Sequence, residues 1–325
     1  MKRNILVNFL IITIFFATIT SCNNNSCSNK VDGKDSLSGD ISISGAFALY
    51  PLTVKWADEY MKLHPKVTIN VSAGGAGKGM TDALSGMIDL GMFSKAVSDE
   101  EKQKGAWWIA VTKDAVVPTV NAKNPQIDAI KANGLTMEKF YDIFISGKIT
   151  NWGAALGSKA KEKLNVYSRS DACGAADMWA KFLNNKKQED LLGICVNGDA
   201  GVADAVRKDI FGIGFNNVAY AYDMNTRKKY EGMEVVPIDI NKNGKIDAEE
   251  NVYNSLDDIM AAIKDGRYPS PPARDLYFIA KGKPQKALIK HFINWVLTDG
   301  QKYVNEAGYV LLPAESIKVE MEKIK

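Results

Sequence analysis

Histidine is scarce in this chain, with only His64 and His291 among 325 residues. That leaves little room for a histidine-based metal centre or a nucleophile–histidine–acid triad. Cysteine is scarce too: Cys22, Cys27, Cys173 and Cys195 cannot staple a chain of this length, so a disulfide framework is excluded. Neither sign of charge is in excess. The 41 Lys and Arg face 38 Asp and Glu for a net +3, so no nucleic-acid partner is expected. No apolar run reaches the ~20 residues of a spanning helix. What is present is ordinary globular composition, 46% hydrophobic and 24% charged, at a length that suits two domains.

The N-terminus reads as an address. Lys2 and Arg3 precede an apolar stretch from Ile5 to Ile19, and Thr20-Ser21-Cys22 follows. A basic start, a short apolar run and small residues make 1–21 an export signal, in competition with an anchor helix. Cys22 behind small residues resembles the lipobox of bacterial lipoproteins. That resemblance implies an acylated Cys22 and a membrane-anchored protein in the periplasm or at the cell surface. Without Lys2 and Arg3 the net charge falls from +3 to +1. Residues 22–39 are polar and read as a flexible tether containing Cys27. Cys173 and Cys195 are left as a pair whose bonding the sequence leaves open.

From residue 40 onward, strand-like and helix-like patterns take turns. Ile41 and Ile43 alternate with polar residues, and Pro51 suits the first turn of a helix carrying Leu52, Trp56 and Tyr60. Val67, Ile69 and Val71 form the next strand, followed by Gly74–Gly79 and a helix bearing Met80, Ala83 and Leu84. Further strands are expected at 88–92, near Val166, at 211–215 and at 276–279. Helices are expected at 136–145, 171–183, 200–206 and from Leu288 to Leu297. This rhythm predicts an α/β protein with parallel sheets. Ligands in such sheets sit at the carboxyl ends of strands, near helix N-termini, which singles out loops 44–51, 72–79 and 168–175. Gly74–Gly79 fits neither a P-loop nor a dinucleotide fingerprint, and a packing turn is its plainer reading. A helix cap is the plainer reading of Asp171, and Arg169 offers a planar fork to an oxyanion or to a salt bridge.

Taken together, several segments resemble the phosphate-binding proteins of bacterial ABC importers. They include Gly45 with Leu49-Tyr50-Pro51-Leu52, Gly74-Gly75-Ala76-Gly77-Lys78-Gly79, Ile88-Asp89-Leu90-Gly91 through Ser94-Lys95, and Arg169-Ser170-Asp171 with Gly174. Ser146–Trp152, Gly198-Asp199-Ala200-Gly201-Val202, Gly212–Phe215 and Leu276-Tyr277 continue the register, and the likeness runs in order from about residue 40 to 314. It implies a two-lobed type II periplasmic-binding-protein clamshell with its ligand in the cleft. The implied lobes are 40–118 with 274–325, and 119–273, the chain crossing near Val116–Asn121 and Ser270–Leu276. It further implies a binding protein without catalysis or organic cofactor, a monomer, with an ABC permease as partner and phosphate or a related small oxyanion as ligand.

The family's hydroxyl-bearing loops are altered here. Gly45-Ala46-Phe47-Ala48 stands for the first, Ala76 for a serine of the second, and Cys173-Gly174-Ala175 for Ser-Gly-Thr. Lys95 replaces an Arg or Asp, whereas Ser94, Arg169 and Asp171 remain. The candidate ligand set is therefore the amides of Ala48, Leu49, Ala76, Gly174 and Ala175, with Ser94, Lys95, Arg169, Asp171 and Cys173. Losing four or five hydroxyls at ~0.5–1.5 kcal/mol each lets a different ligand or a protein partner compete with phosphate.

A separate motif lies at Asp239–Glu250. Asp239, Asn241, Asn243, Asp247 and Glu250 occupy the side-chain ligand positions of an EF-hand loop, Lys245 the carbonyl position and Gly244 the sharp turn. A strand precedes it and a helix follows, which predicts a lone structural Ca²⁺ site. An enzyme acting on phosphate esters would need Cys173 or Ser170 as nucleophile. Neither histidine lies near them in sequence, and residue 179 is Trp where a phosphatase loop needs Arg.

Overall fold

The computed structural model describes residues 37–325. The export signal, Cys22, Cys27 and nearly all of the tether lie outside the described residues. Among these residues nine strands form one sheet: β1 Gly39–Gly45, β2 Val67–Ala73, β3 Leu90–Phe93, β4 Ala106–Asn121, β5 Asn165–Arg169, β6 Ile194–Val196, β7 Gly212–Asn217, β8 Met233–Val235 and β9 Ala273–Lys281. Their order is β2-β1-β3-β9-β4-β7-β5-β6, with β8 also on β4. β1 lies parallel to β2 and β3, and β5 parallel to β6 and β7. The two long strands β4 and β9 run antiparallel. The chain is α/β and two-lobed.

β4 makes the division. Ala106–Ala115 pairs with β9, and from Val116 the strand pairs with β7 and then β8. Ile109 and Val111 lie in a core with Ile41, Trp56, Phe278 and Phe292, whereas Val116 and Val117 lie in another with Phe144, Trp152, Trp179 and Phe215. The change of partner falls between Ala115 and Val116. On the way back, Ala273 belongs to the second core and Leu276 to the first. The resemblance implied only a chain crossing near 116–121, and no strand is expected from the pattern at 106–115. Residues 106–115 are buried on both faces along much of their length, so period-two alternation is faint there.

The helices follow from the apolar spacing. Tyr50–Leu63 starts with Pro51 in its first turn and buries Leu52, Trp56 and Tyr60. Ala287–Leu297 buries Ile289, Phe292, Ile293 and Val296. Among the described residues no helix is long and apolar enough to cross a membrane.

Candidate functional site

Each loop singled out by the sequence ends a strand and opens a helix. Loop 46–49 follows β1, helix Ala76–Ser85 follows β2, and helix Gly174–Phe182 follows β5. Glycine sets how near they come. A Cβ on Gly79 would stand 2.5 Å from the Met92 carbonyl and 2.9 Å from the Gly45 Cα, so this helix lies directly on the strands. The packing reading of Gly74–Gly79 is therefore part of the answer. Lys78 pairs with Asp82, which also accepts from Ser44 at 2.7 Å.

The two lobes touch here. The Gly77 amide donates to the Ala172 carbonyl at 3.1 Å, and a Cβ on Gly75 would sit 3.0 Å from Oδ2 of Asp171. A Cβ on Gly174 would lie 2.2 Å from Oγ and 2.3 Å from the carbonyl of Ser94. Phe47 of the first lobe lies over Arg169 of the second, 5.4 Å from ring centroid to guanidinium carbon, and its edge fills the space beside Gly198. The apolar bulk of Phe47 thus covers the arginine. Tyr220 donates to the Phe47 carbonyl at 3.4 Å. The cleft is closed.

Arg169 is the electrostatic centre, with its side chain wholly buried. Its Nε and Nη2 donate to Asp171 at 2.8 and 2.6 Å, and its Nη1 to Asp199 at 2.6 Å. Burial alone would lower the pKa of Arg169, but the facing carboxylates raise it instead. Three of its five N–H groups are used in these bonds. Asp171 is not the helix cap. Cys173 caps the helix through Sγ, which accepts from the Ala176 amide at 3.4 Å, and Asp171 holds Arg169 and the Gly198 amide. Burial tends to raise the Asp171 carboxyl, and Arg169 brings it below its usual range. Gln188 braces this loop from both sides, accepting from the Cys173 amide at 3.0 Å and donating to the Asp171 carbonyl at 2.7 Å.

The remaining candidates divide. Ala76, Gly174 and Ala175 occupy first-turn positions, where a helix supplies no acceptor for their amides. Ala48 is buried, its carbonyl accepting from Tyr309 at 2.7 Å. The Leu49 amide is already donated to the Ala46 carbonyl at 3.1 Å, which takes it out of the donor set. Lys95 lines a surface recess of about 560 Å³ with Gly77, Ser98 and Glu101. Cys173 is buried and its thiol is pushed up to about 12, chiefly by burial, the opposite of an activated nucleophile. Cys173 and Cys195 are both free, one buried and one exposed.

Two residues of the site went unassigned in the sequence. Asp199 is completely buried and accepts from Arg169 and from both nitrogens of Asn217. Its signal was the Gly198-Asp199-Ala200-Gly201 helix start. Arg274 of β9 lies against Ser94 and Asn217, and only its place at the chain crossing pointed to it. Opposite it, Asp114 is pushed up to about 6 by burial, against the pull of Arg274.

The Asp239–Glu250 loop lies in the second lobe. Asp239 accepts from the amides of Asn243 and Gly244, and Glu250 from those of Ile240, Asn241 and Asp247. Asp247 pairs with Lys245 at 2.9 Å and accepts from the side-chain amides of Asn241 and Asn243. Among the described residues no group of three or more His, Cys, Asp or Glu gathers in a metal-holding arrangement.

A profile described as the PBP superfamily domain matches residues 30–300. Protein SphX of Synechococcus elongatus is 27% identical over 297 residues, covering 88% of this chain and 81% of that protein. The phosphate-binding protein PstS of Staphylococcus haemolyticus is 26% identical over 296 residues, covering 89% and 86%. Among solved structures, an ABC-type phosphate transport receptor from Vibrio cholerae superposes with a TM-score of 0.61 at 20% identity, covering 84% of this chain and 100% of that one. At that identity the superposition shows the shared fold.

Proposed function

Because the chain belongs to the PBP superfamily, among the substrate-binding proteins of ABC importers, we propose that it binds inorganic phosphate between its lobes and delivers it to an importer's permease. The observation that carries this reading is the buried Arg169 beside the first-turn amides of Gly174, Ala175 and Ala76. A guanidinium fork and helix N-termini both suit a tetrahedral oxyanion. Closing the lobes removes water and strengthens each of these contacts. No bond of the ligand needs to break. Titration of refolded, ligand-stripped protein with phosphate, and with sulfate in parallel, tests the reading, and binding of sulfate alone would refute it. A different small oxyanion is the second reading, favoured by the two carboxylates that already occupy Arg169.

Two further parts of the proposal lie outside the cleft. Acylation of Cys22 would tether the protein to a membrane, and Cys22→Ser is expected to release it into the soluble fraction. Ca²⁺ is proposed for the Asp239–Glu250 loop. Its support is the complete twelve-position pattern and two buried carboxylates, Asp239 and Glu250, with no basic side chain paired to either among the described residues. To close on the ion, Asp247 would have to give up Lys245. Calcium at about ten times its dissociation constant adds ~1.4 kcal/mol of stability. A melting temperature unmoved between millimolar calcium and chelator would remove the metal.

A further inference from the structure

Arg274 occupies a position that no resemblance assigned. It stands on β9 directly opposite Asp114 of β4, next to the point where β4 changes partner, and is 7% exposed. Its guanidinium reaches both lobes. Nε donates to the Ser94 carbonyl at 3.4 Å, and Nη2 to Oδ1 of Asn217. Asn217 donates through Nδ2 to Asp199 at 2.8 Å, and the same Asp199 oxygen accepts from Arg169. Two buried arginines are thus joined by one amide and one carboxylate. The Ser94 carbonyl is also the atom that lies 2.3 Å from where a Cβ on Gly174 would be, so Arg274 borders the helix start described above.

Its third nitrogen lacks an acceptor. Nη1 of Arg274 is buried with no hydrogen-bond partner, and so is Oδ2 of Asp114, which stands 3.7 Å from Nη2. A buried N–H of a charged group is almost always paired in a native protein. The two arginines also differ in how far they are neutralised. Arg169 is held by two carboxylates at hydrogen-bond distance, whereas Arg274 faces one at a looser distance. Arg274 is the less compensated cation of the closed site.

We propose that Arg274 is a second cationic ligand of the interlobe site, its Nη1 donating to an oxygen of the bound oxyanion beside the Gly174 and Ala175 amides. It takes over part of the role of the hydroxyls that Ala76, Cys173 and Ala175 do not supply. This inference rests on the phosphate-binding reading. It also explains how a site whose first arginine is overmatched still attracts an anion, since closing the lobes brings a second guanidinium to the same ligand.

Calorimetric titration of the full-length refolded protein with inorganic phosphate tests it. The wild type is compared with Arg274→Lys, with the double variant Asp114→Asn/Arg274→Gln, and with the surface variant Arg267→Gln. The double variant removes both members of the ion pair together, which leaves no unpaired buried charge. Arg274→Lys keeps the counter-charge of Asp114 and loses the fork. Melting curves without ligand verify that each is folded. Both Arg274 variants are expected to bind phosphate on the order of 10- to 100-fold more weakly, and Arg267→Gln like the wild type. Affinity within about twofold of wild type in the double variant would assign Arg274 to Asp114 alone and overturn the inference. A wild type that binds neither phosphate nor sulfate would overturn the parent reading, and the second-ligand role with it.

Discussion

Gly174→Ala separates closing from folding. Gly174 is the first residue of its helix and its φ is not positive, so alanine fits the backbone. Alanine is the better helix former by up to ~1 kcal/mol in a helix interior, so the second lobe is not weakened. The nearest atoms that the new methyl meets all belong to Ser94 of the first lobe: Oγ at 2.2 Å, the carbonyl oxygen at 2.3 Å and the carbonyl carbon at 2.7 Å. The hydroxyl can rotate away, but the carbonyl cannot. Ordinary contact begins at 3.4 Å, so the lobes must part by 3.4 − 2.3 = 1.1 Å at this point. Overpacking of this kind costs about 1–3 kcal/mol, which is roughly 5- to 150-fold in affinity. Phosphate titration should therefore weaken by that factor while the ligand-free melting temperature holds or rises slightly. Solution scattering with saturating ligand should give a larger radius of gyration than for wild type. Unchanged affinity would refute the reasoning, because it would mean that the Gly174–Ser94 contact is not part of the bound state.

Two more outcomes follow from the titrating groups. Native protein treated with a maleimide near neutral pH should be modified at the exposed Cys195 and spared at the buried Cys173, with both modified after unfolding; peptide mass spectrometry reads the sites, and native labelling of Cys173 would contradict the closed cleft. Asp114 is held at about 6, above its ordinary 3.8, so the native state keeps a proton that the unfolded chain has released. Its contribution is most favourable below the unfolded value and is lost as pH rises through about 6, by roughly 3 kcal/mol. Asp114→Asn should abolish that slope. Urea unfolding of both proteins at pH 4 and pH 7 would show it, and a pH-independent difference between them would refute it.

The sequence carried the elements whose side chains repeat with a period. Tyr50–Leu63 and Ala287–Leu297 show an apolar stripe, and β2 alternates, because each has one face in a core and one outside it. β4 escaped because it passes through both cores and is buried on both sides, leaving no alternation to read. At the site, Arg169, Asp171 and Gly174 stood out because they sit together in one short loop opening a helix. The plainer reading of Asp171 as a helix cap does not hold, because Cys173 caps the helix and Asp171 holds Arg169. Asp199 and Arg274 lie 30 and 105 residues along from Arg169 and join it only through side-chain hydrogen bonds.

The linear chain by itself determined the alternating α/β order, the places where strands hand over to helices, and the presence of glycine where two backbones must touch. These are local matters of periodicity, φ/ψ freedom and the missing Cβ. Tertiary structure decided which charges meet. It gave Arg169 two carboxylates and left Arg274 a free nitrogen, paired Lys78 with Asp82, put Lys95 on a surface recess, and spent the Leu49 amide on a turn. Electrostatic pairing depends on distance and burial between residues far apart in sequence, and both exist only once the two lobes have closed on each other.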